Sequence, residues 1–347
     1  VSRPVGAEIG AVQPKLPPAV ASFGPWQHGK AGIMTFPDCI ARVTVKKEVV
    51  MPGCRTYCAT LLFLFLGLGT STCSQRAPFE TSDTRLPVVA SILPLADFVR
   101  QVGGDRVQVE VLVPAGASPH TYELTPSQLM AVTRARLLVL NGVGLEFWAG
   151  KVISSANNPN LTVVTVSEEL KIIAGDADEP GGNPHTWLSP LNAIRQVDKI
   201  RAALVKTDPA GAEIYRANAD RFQRELGALD EEIRKAVAGY SNRRFISFHA
   251  AWSYLARDYG LEEAAVIESR PGQEPSPAEI AAIVEKAKGI KAKAIFAEPQ
   301  FSPKAAVAVA EECGARVLLL NPLGLPPDYR YIDLMRYNLS EITPALR

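Results

Sequence analysis

From Leu86 onward, short apolar runs alternate with amphipathic stretches. Residues 87–92, 107–113, 137–140 and 161–166 read as strands, separated by helical stretches over residues 95–102, after Thr125, and over residues 144–155. Thr125-Pro126-Ser127-Gln128 predicts a helix start, with a hydroxyl cap, a proline at the first helical position and a capping-box glutamine. Ser189-Pro190 opens a further helix that runs to about Lys206, with Ile194, Val197, Ile200 and Leu204 on one face. The alternation then resumes. Residues 244–248, 264–267, 294–297 and 317–320 read as strands. Helices are expected over residues 252–259, after Ser276-Pro277 with Glu279 closing a capping box, from Ser302-Pro303 to Cys313, and over residues 331–342. Strands alternating with helices imply βαβ units. The expected fold is α/β, with two lobes, each a mainly parallel four-stranded sheet with flanking helices.

One long helix separates the two runs. Asp208-Pro209 predicts its N-cap and first position. Apart from Gly211 and Gly227, no breaker follows until Gly239. Tyr215, Ala219, Phe222, Leu226, Leu229, Ile233 and Val237 recur at three- and four-residue steps, and Asp230 and Arg234 form a favourable i,i+4 pair. The stretch would span about 45 Å at helical rise, long enough to join the lobes rigidly.

The chain before Leu86 breaks this pattern. Met51 begins an export-signal pattern: Arg55, then the apolar run of residues 61–68, then small residues leading to Cys73. The run is too short to span a bilayer as a mature helix. Cys73 is the candidate lipid anchor. Leu68 lies further from it than a lipobox leucine, and Thr72 replaces the usual Gly or Ala, so ordinary cleavage is the alternative. The organisation reads as an upstream extension (1–50), a signal peptide (51–73), a flexible tether (74–85), a first lobe (86–207), the long helix (208–240) and a second lobe (241–347).

Composition adds exclusions. The 347 residues are 47% hydrophobic with a formal net charge of +1. They suit two folded domains, and neither nucleic acid nor an anionic membrane surface is an expected partner. Cys39, Cys54, Cys58 and Cys73 precede the lobes and only Cys313 lies within them, so no disulfide framework is expected. Cys54 and Cys58 lack the second pair that a zinc knuckle needs.

Histidine is scarce, and its placement is informative. The four are His28, His120, His185 and His249. His120 follows a strand and precedes the helix at Thr125, on the usual binding edge of an open α/β sheet. His185, in Asn183-Pro184-His185-Thr186-Trp187, and His249, in Ser247-Phe248-His249-Ala250-Ala251-Trp252, occupy the same kind of loop. Three imidazoles on three sheet-edge loops point to a transition-metal site of nitrogen ligands.

These residues also carry a resemblance. Pro119-His120-Thr121-Tyr122-Glu123, Pro184-His185-Thr186-Trp187-Leu188, Phe248-His249-Ala250-Ala251-Trp252, Glu274-Pro275-Ser276-Pro277, Ala297-Glu298-Pro299-Gln300-Phe301 and Asn321-Pro322-Leu323-Gly324 occur in this order. In them the chain resembles the zinc/manganese solute-binding proteins of bacterial ABC importers. The resemblance implies two α/β lobes joined by a long helix and a metal in the cleft between them. It also implies delivery to an ABC permease in the cytoplasmic membrane by a protein that is periplasmic or otherwise extracytoplasmic. By resemblance His120, His185 and His249 bind the metal. Many members place an aspartate where this chain has Asn321, so the fourth ligand is Asn321, water or a nearby carboxylate such as Glu123. Zinc members often carry a histidine-rich loop before the second ligand; residues 176–182 contain no histidine.

Glu298 and Glu123 are candidates for supporting the ligands from behind. Zn2+ is the expected cargo and Mn2+ the runner-up, because three imidazoles and a neutral amide suit zinc better than manganese. A monomeric binding protein rather than an enzyme is expected. The rival from another class is a secreted zinc hydrolase with three histidines and an open fourth position, for which Glu123 or Glu298 would have to serve as base. A metal-binding surface adhesin is a third reading.

Overall fold

The computed structural model describes residues 84–175, 181–270, 272–324 and 330–347. The expected upstream extension, signal peptide and Cys73 anchor lie outside the described residues, as do most of the tether and residues 176–180 of the acidic loop. Among the described residues, no helix is long and apolar enough to cross a membrane.

In the first lobe, β1 (Leu86–Ala90), β2 (Val107–Val111), β3 (Leu137–Leu140) and β4 (Thr162–Thr165) form one parallel sheet in the order β2-β1-β3-β4. Val88 stands opposite Val109 on one side and Leu137 on the other. Central β3 is buried along its whole length, whereas Gln108 and Glu110 on edge strand β2 are exposed. Side chains alternate across the pleat. Val88, Ala90, Leu137 and Val139 therefore join one core with Leu95, Phe98 and Val99 of α1 (Leu93–Gly103). Val89, Leu138 and Leu140 face the other way, onto Val132 of α2 (Pro126–Arg134) and Val152 of α3 (Ala149–Ala156).

Helix α2 starts as its sequence predicts. Thr125 Oγ1 accepts from the Gln128 N–H, and Gln128 Oε1 accepts from the Thr125 N–H. The helix expected over residues 144–155 is shorter. Gly142, Val143 and Gly144 all take positive φ, which a right-handed helix cannot include, so α3 begins only at Ala149.

Helix α4 (Pro190–Thr207) runs into a 3₁₀ turn over Pro209–Gly211 and then into α5 (Ala212–Ala238). Asp208 is not the side-chain cap its position suggests. Its carboxylate accepts from Arg106 at 3.0 and 2.8 Å and from the Tyr215 hydroxyl, which ties the turn to the first lobe instead. The buried residues of α5 are the seven that periodicity selects, Tyr215 through Val237. They belong to one continuous core with Phe98 and Val99 of the first lobe and with Leu255 and Tyr259 of the second. Burying each large apolar side chain stabilises the arrangement by about 1.5–3 kcal/mol, so α5 is a packed part of both lobes and not a bare strut.

The second lobe contains β5 (Arg244–Ser247), β6 (Glu262–Val266), β7 (Ala294–Ala297) and β8 (Arg316–Leu319). They hydrogen-bond as two parallel pairs, β5-β6 and β7-β8, with β5 beside β7. The strand sequence is thus that of the first lobe, but its ladder divides in the middle, and the β5-β6 register shifts between Phe245 and Ile246. Helices α6 (Ser253–Tyr259), α7 (Pro277–Gly289) and α8 (Lys304–Cys313) follow the same alternation, and Ser276 and Glu279 form the expected capping box on α7. Helix α9 (Tyr331–Leu346) packs against α5 and α1. The Tyr331 N–H donates to Asp97 Oδ2 at 2.8 Å, and its hydroxyl donates to the Trp187 carbonyl at 2.6 Å, which binds the C-terminal helix to the first lobe.

Candidate metal centre

Each histidine sits on a connection that leaves the C-terminal end of a parallel strand. His120 lies on the loop from β2 to α2. Gln128, besides capping α2, donates through Nε2 to the Leu112 carbonyl at 2.5 Å and bonds the Tyr122 hydroxyl at 3.0 Å. One side chain thereby closes both ends of the His120 loop. His185 lies on the long connection from β4 to α4. Asn141, at the end of β3, donates to the Pro184 carbonyl at 2.8 Å and accepts from Thr186 Oγ1 at 2.8 Å, gripping that connection on either side of His185. Gly182 makes the approach possible: its φ is +100°, and a Cβ there would sit 2.4 Å from Ile172 Cγ2. His249 follows β5, and Trp187 packs beside His185. Its ring lies 5.3 Å from that of His185, and its Nε1 donates to the Pro322 carbonyl at 2.8 Å.

The three imidazoles converge. His185 Nε2 lies 3.1 Å from His120 Nε2 and 3.0 Å from His249 Nε2. One nitrogen from each ring falls within 4.8 Å of the others. Two nitrogens bound to one tetrahedral zinc at 2.0–2.1 Å would be about 3.3–3.4 Å apart, so the arrangement needs little adjustment to share an ion. His185 and His249 are buried, and His120 is half-buried.

The groups behind the rings fix their tautomers. His249 Nδ1 faces Glu298 Oε1 at 2.7 Å, and His185 Nδ1 faces Asn183 Oδ1 at 3.0 Å. Each of these nitrogens therefore carries its hydrogen outward, leaving the Nε2 lone pair for the centre. Burial and the nearby His249 charge pull the His120 pKa down to about 3, and burial pulls His185 well below the usual histidine value. His249 moves the other way. Burial opposes its charge, but the charge and hydrogen bond of Glu298, together with the charges of Glu263 and Glu268, raise it. The centre therefore presents two neutral donors and one imidazole made more basic by a carboxylate.

Glu298 lies behind His249 through its contact with Nδ1. Its second oxygen, Oε2, is buried without a hydrogen-bond partner among the described residues. Replacing Glu298 with Gln should weaken zinc binding by about 10–100-fold in a chelator competition, the usual range for a group that orients a metal ligand. Unchanged affinity would remove it from the site. Glu123 is exposed and lines a separate groove with Pro126, Phe147 and Lys151. Asn321 is buried behind the cleft. Its Oδ1 accepts from the N–H groups of Leu323 at 3.0 Å and Gly324 at 2.7 Å, which occupies both lone pairs of that oxygen. Pro322 and Leu323 line the cleft in its place. Ser118 and Gln300 also line it, and Ser118 Oγ and Gln300 Oε1 are buried with no hydrogen-bond partner among the described residues. Sequence reasoning missed Asn183. The only available signal was an amide two residues before a candidate ligand.

Two α/β lobes that bring imidazoles from both sides onto one point define a metal-binding protein of the two-lobed solute-binding class. Residues 88–345 match the family described as zinc-uptake complex component A, periplasmic, and the chain belongs to that family. It is 30% identical over 306 residues to the high-affinity zinc uptake system protein ZnuA of Bacillus subtilis strain 168, covering 83% of this chain and 95% of that one. It is 29% identical over 297 residues to the manganese-binding lipoprotein MntA of Halalkalibacterium halodurans, covering 83% and 98%. A crystal structure of ZnuA superposes with a TM-score of 0.70 at 35% identity, covering 75% of this chain and 99% of the other.

Proposed function

We propose that this protein captures a zinc ion outside the cytoplasmic membrane and hands it to an ABC-type permease. The observation that carries the reading is the convergence of His120, His185 and His249 Nε2 at the cleft. His120 and His185 come from the first lobe and His249 from the second, so capture links the lobes through the cargo. Water completes the coordination shell. Ser118 Oγ and Gln300 Oε1 offer a bound water the hydrogen bonds it needs, and Asn321 Oδ1 is already committed to its own turn. The family assignment and the signal pattern before Cys73 support an extracytoplasmic location, with Cys73 as the candidate anchor and ordinary cleavage as the alternative. Turnover has less support than binding, because Glu123, one of the two carboxylates available as a base, lies on a separate groove.

Elemental analysis tests the reading. Protein purified without added metal should carry about one equivalent of zinc, because a site with three nitrogen donors scavenges zinc from ordinary buffers. Protein that stays metal-free even when offered zinc and manganese would overturn it.

A further inference from the structure

The Asn183 side chain hydrogen-bonds the segments of two proposed ligands from opposite lobes. Its Oδ1 accepts from the His185 backbone N–H and from the His185 ring Nδ1–H, both at 3.0 Å. Its Nδ2 donates across to the second lobe, to the carbonyl of Ala250 at 2.5 Å, immediately after His249, and lies 3.5 Å from Ser253 Oγ. Asn183 is 3% exposed, so water does not compete for these bonds. The partners also fix which way round the amide sits. Flipped, it would turn its NH2 toward two donors and its oxygen toward a carbonyl.

The backbone reinforces the link. The Asn183 N–H donates to the Ile173 carbonyl at 2.9 Å. The Asn183 carbonyl accepts from the hydroxyl of Tyr254 on α6 at 2.7 Å, and the same hydroxyl accepts from the Ile173 N–H at 3.1 Å. Residue 183 is thus held by the second lobe through both its side chain and its main chain.

We propose that Asn183 is a positioning residue that couples the orientation of His185 to the docking of the His249 loop and so sets the rate at which the cargo escapes. The inference rests on the metal-binding reading above. In it, the ligand from one lobe and the loop carrying a ligand from the other share one amide. Opening the lobes breaks the Nδ2 bond to Ala250, while the Oδ1 bond to His185 stays within the first lobe. The amide is the group that serves both sides. A carboxylate at this position would keep an acceptor for His185 but set an oxygen against the Ala250 carbonyl.

The test compares the intact protein with Asn183→Asp, Asn183→Ala and Tyr254→Phe. Each is stripped with chelator, reloaded with zinc and mixed with excess chelator in a stopped-flow instrument. The ring tautomers of the metal-free proteins are read by long-range 1H–15N NMR, and circular dichroism verifies folding. Asn183→Asp should release zinc about tenfold faster, at the low end of the effects of groups behind metal ligands, while His185 keeps its Nδ1–H tautomer. Asn183→Ala should release faster still and show mixed tautomers. Tyr254→Phe should release faster with the tautomer unchanged, and it decides the question alone if the residue-183 variants do not fold.

If the aspartate acted only through its added negative charge, it would slow release. Slower or unchanged release in Asn183→Asp, with wild-type release in Tyr254→Phe, overturns the proposal while leaving the metal site intact. Failure of the unaltered protein to hold zinc overturns the metal reading, and this inference with it.

Discussion

Replacing His185 with alanine is expected to lower zinc affinity by about 10²–10³-fold. His185 is central: its Nε2 is within 3.1 Å of His120 Nε2 and 3.0 Å of His249 Nε2. Structural zinc sites bind with about 10–16 kcal/mol over four ligands, so one ligand's share is about 2.5–4 kcal/mol, and each 1.4 kcal/mol is tenfold in affinity. Competition against a chromophoric chelator would measure the loss, and a change below about tenfold would exclude His185 as a ligand. The substitution should also alter the response of the metal-free protein to acid. The folded-state pKa of His185 is depressed below 6.5. Its unfolded form therefore takes up a proton that the folded form refuses once the pH falls below that value, and stability is lost. Without His185, the decline in stability below pH 6.5 should be shallower in denaturant titrations. An equally steep decline would mean that His185 is not held neutral in the fold.

Zinc should exclude manganese from the site. Offered in turn to chelator-stripped protein in competition calorimetry, zinc should bind more tightly and displace manganese, while manganese should not displace zinc. Manganese favours oxygen-rich shells with carboxylates and higher coordination numbers. Here the converging donors are imidazole nitrogens. The Glu298 carboxylate behind His249 spends Oε1 on His249 Nδ1, and Asn321 spends its oxygen on two backbone N–H groups. Zinc accepts three nitrogens and a water in tetrahedral geometry, and it precedes manganese in intrinsic affinity at such sites. Similarity to both a zinc-uptake protein and a manganese-binding lipoprotein makes the competition informative. Manganese binding as tightly as zinc would reverse the assignment.

The sequence was most legible where local chemistry decides local structure. The capping boxes at Thr125 and Ser276 formed as written, because each satisfies its own helix's first N–H groups within four residues. The buried stripe of α5 followed from periodicity alone. Errors arose where a distant residue competes. Asp208 is a good helix cap in isolation, but Arg106 and Tyr215 claim its carboxylate. Residues 144–148 read as the start of a helix, yet positive φ at Gly142, Val143 and Gly144 makes a turn there, and Glu146 accepts from the N–H groups of Asn141 and Gly142.

By itself the sequence determined the α/β alternation, the three histidines as sheet-edge residues and the family, because periodicity, caps and short motifs are local properties of the chain. Only the tertiary structure decided what each polar group at the centre faces. Asn321 and Glu123 are plausible ligands as residue types, but one is enclosed in its own turn and the other lines a separate groove. Asn183 looks ordinary as a residue type, yet it bonds a ring in one lobe and a carbonyl in the other. Ala250 lies far along the chain from Asn183, beyond two helices and a strand, and only packing of the lobes around α5 brings the two within hydrogen-bond reach.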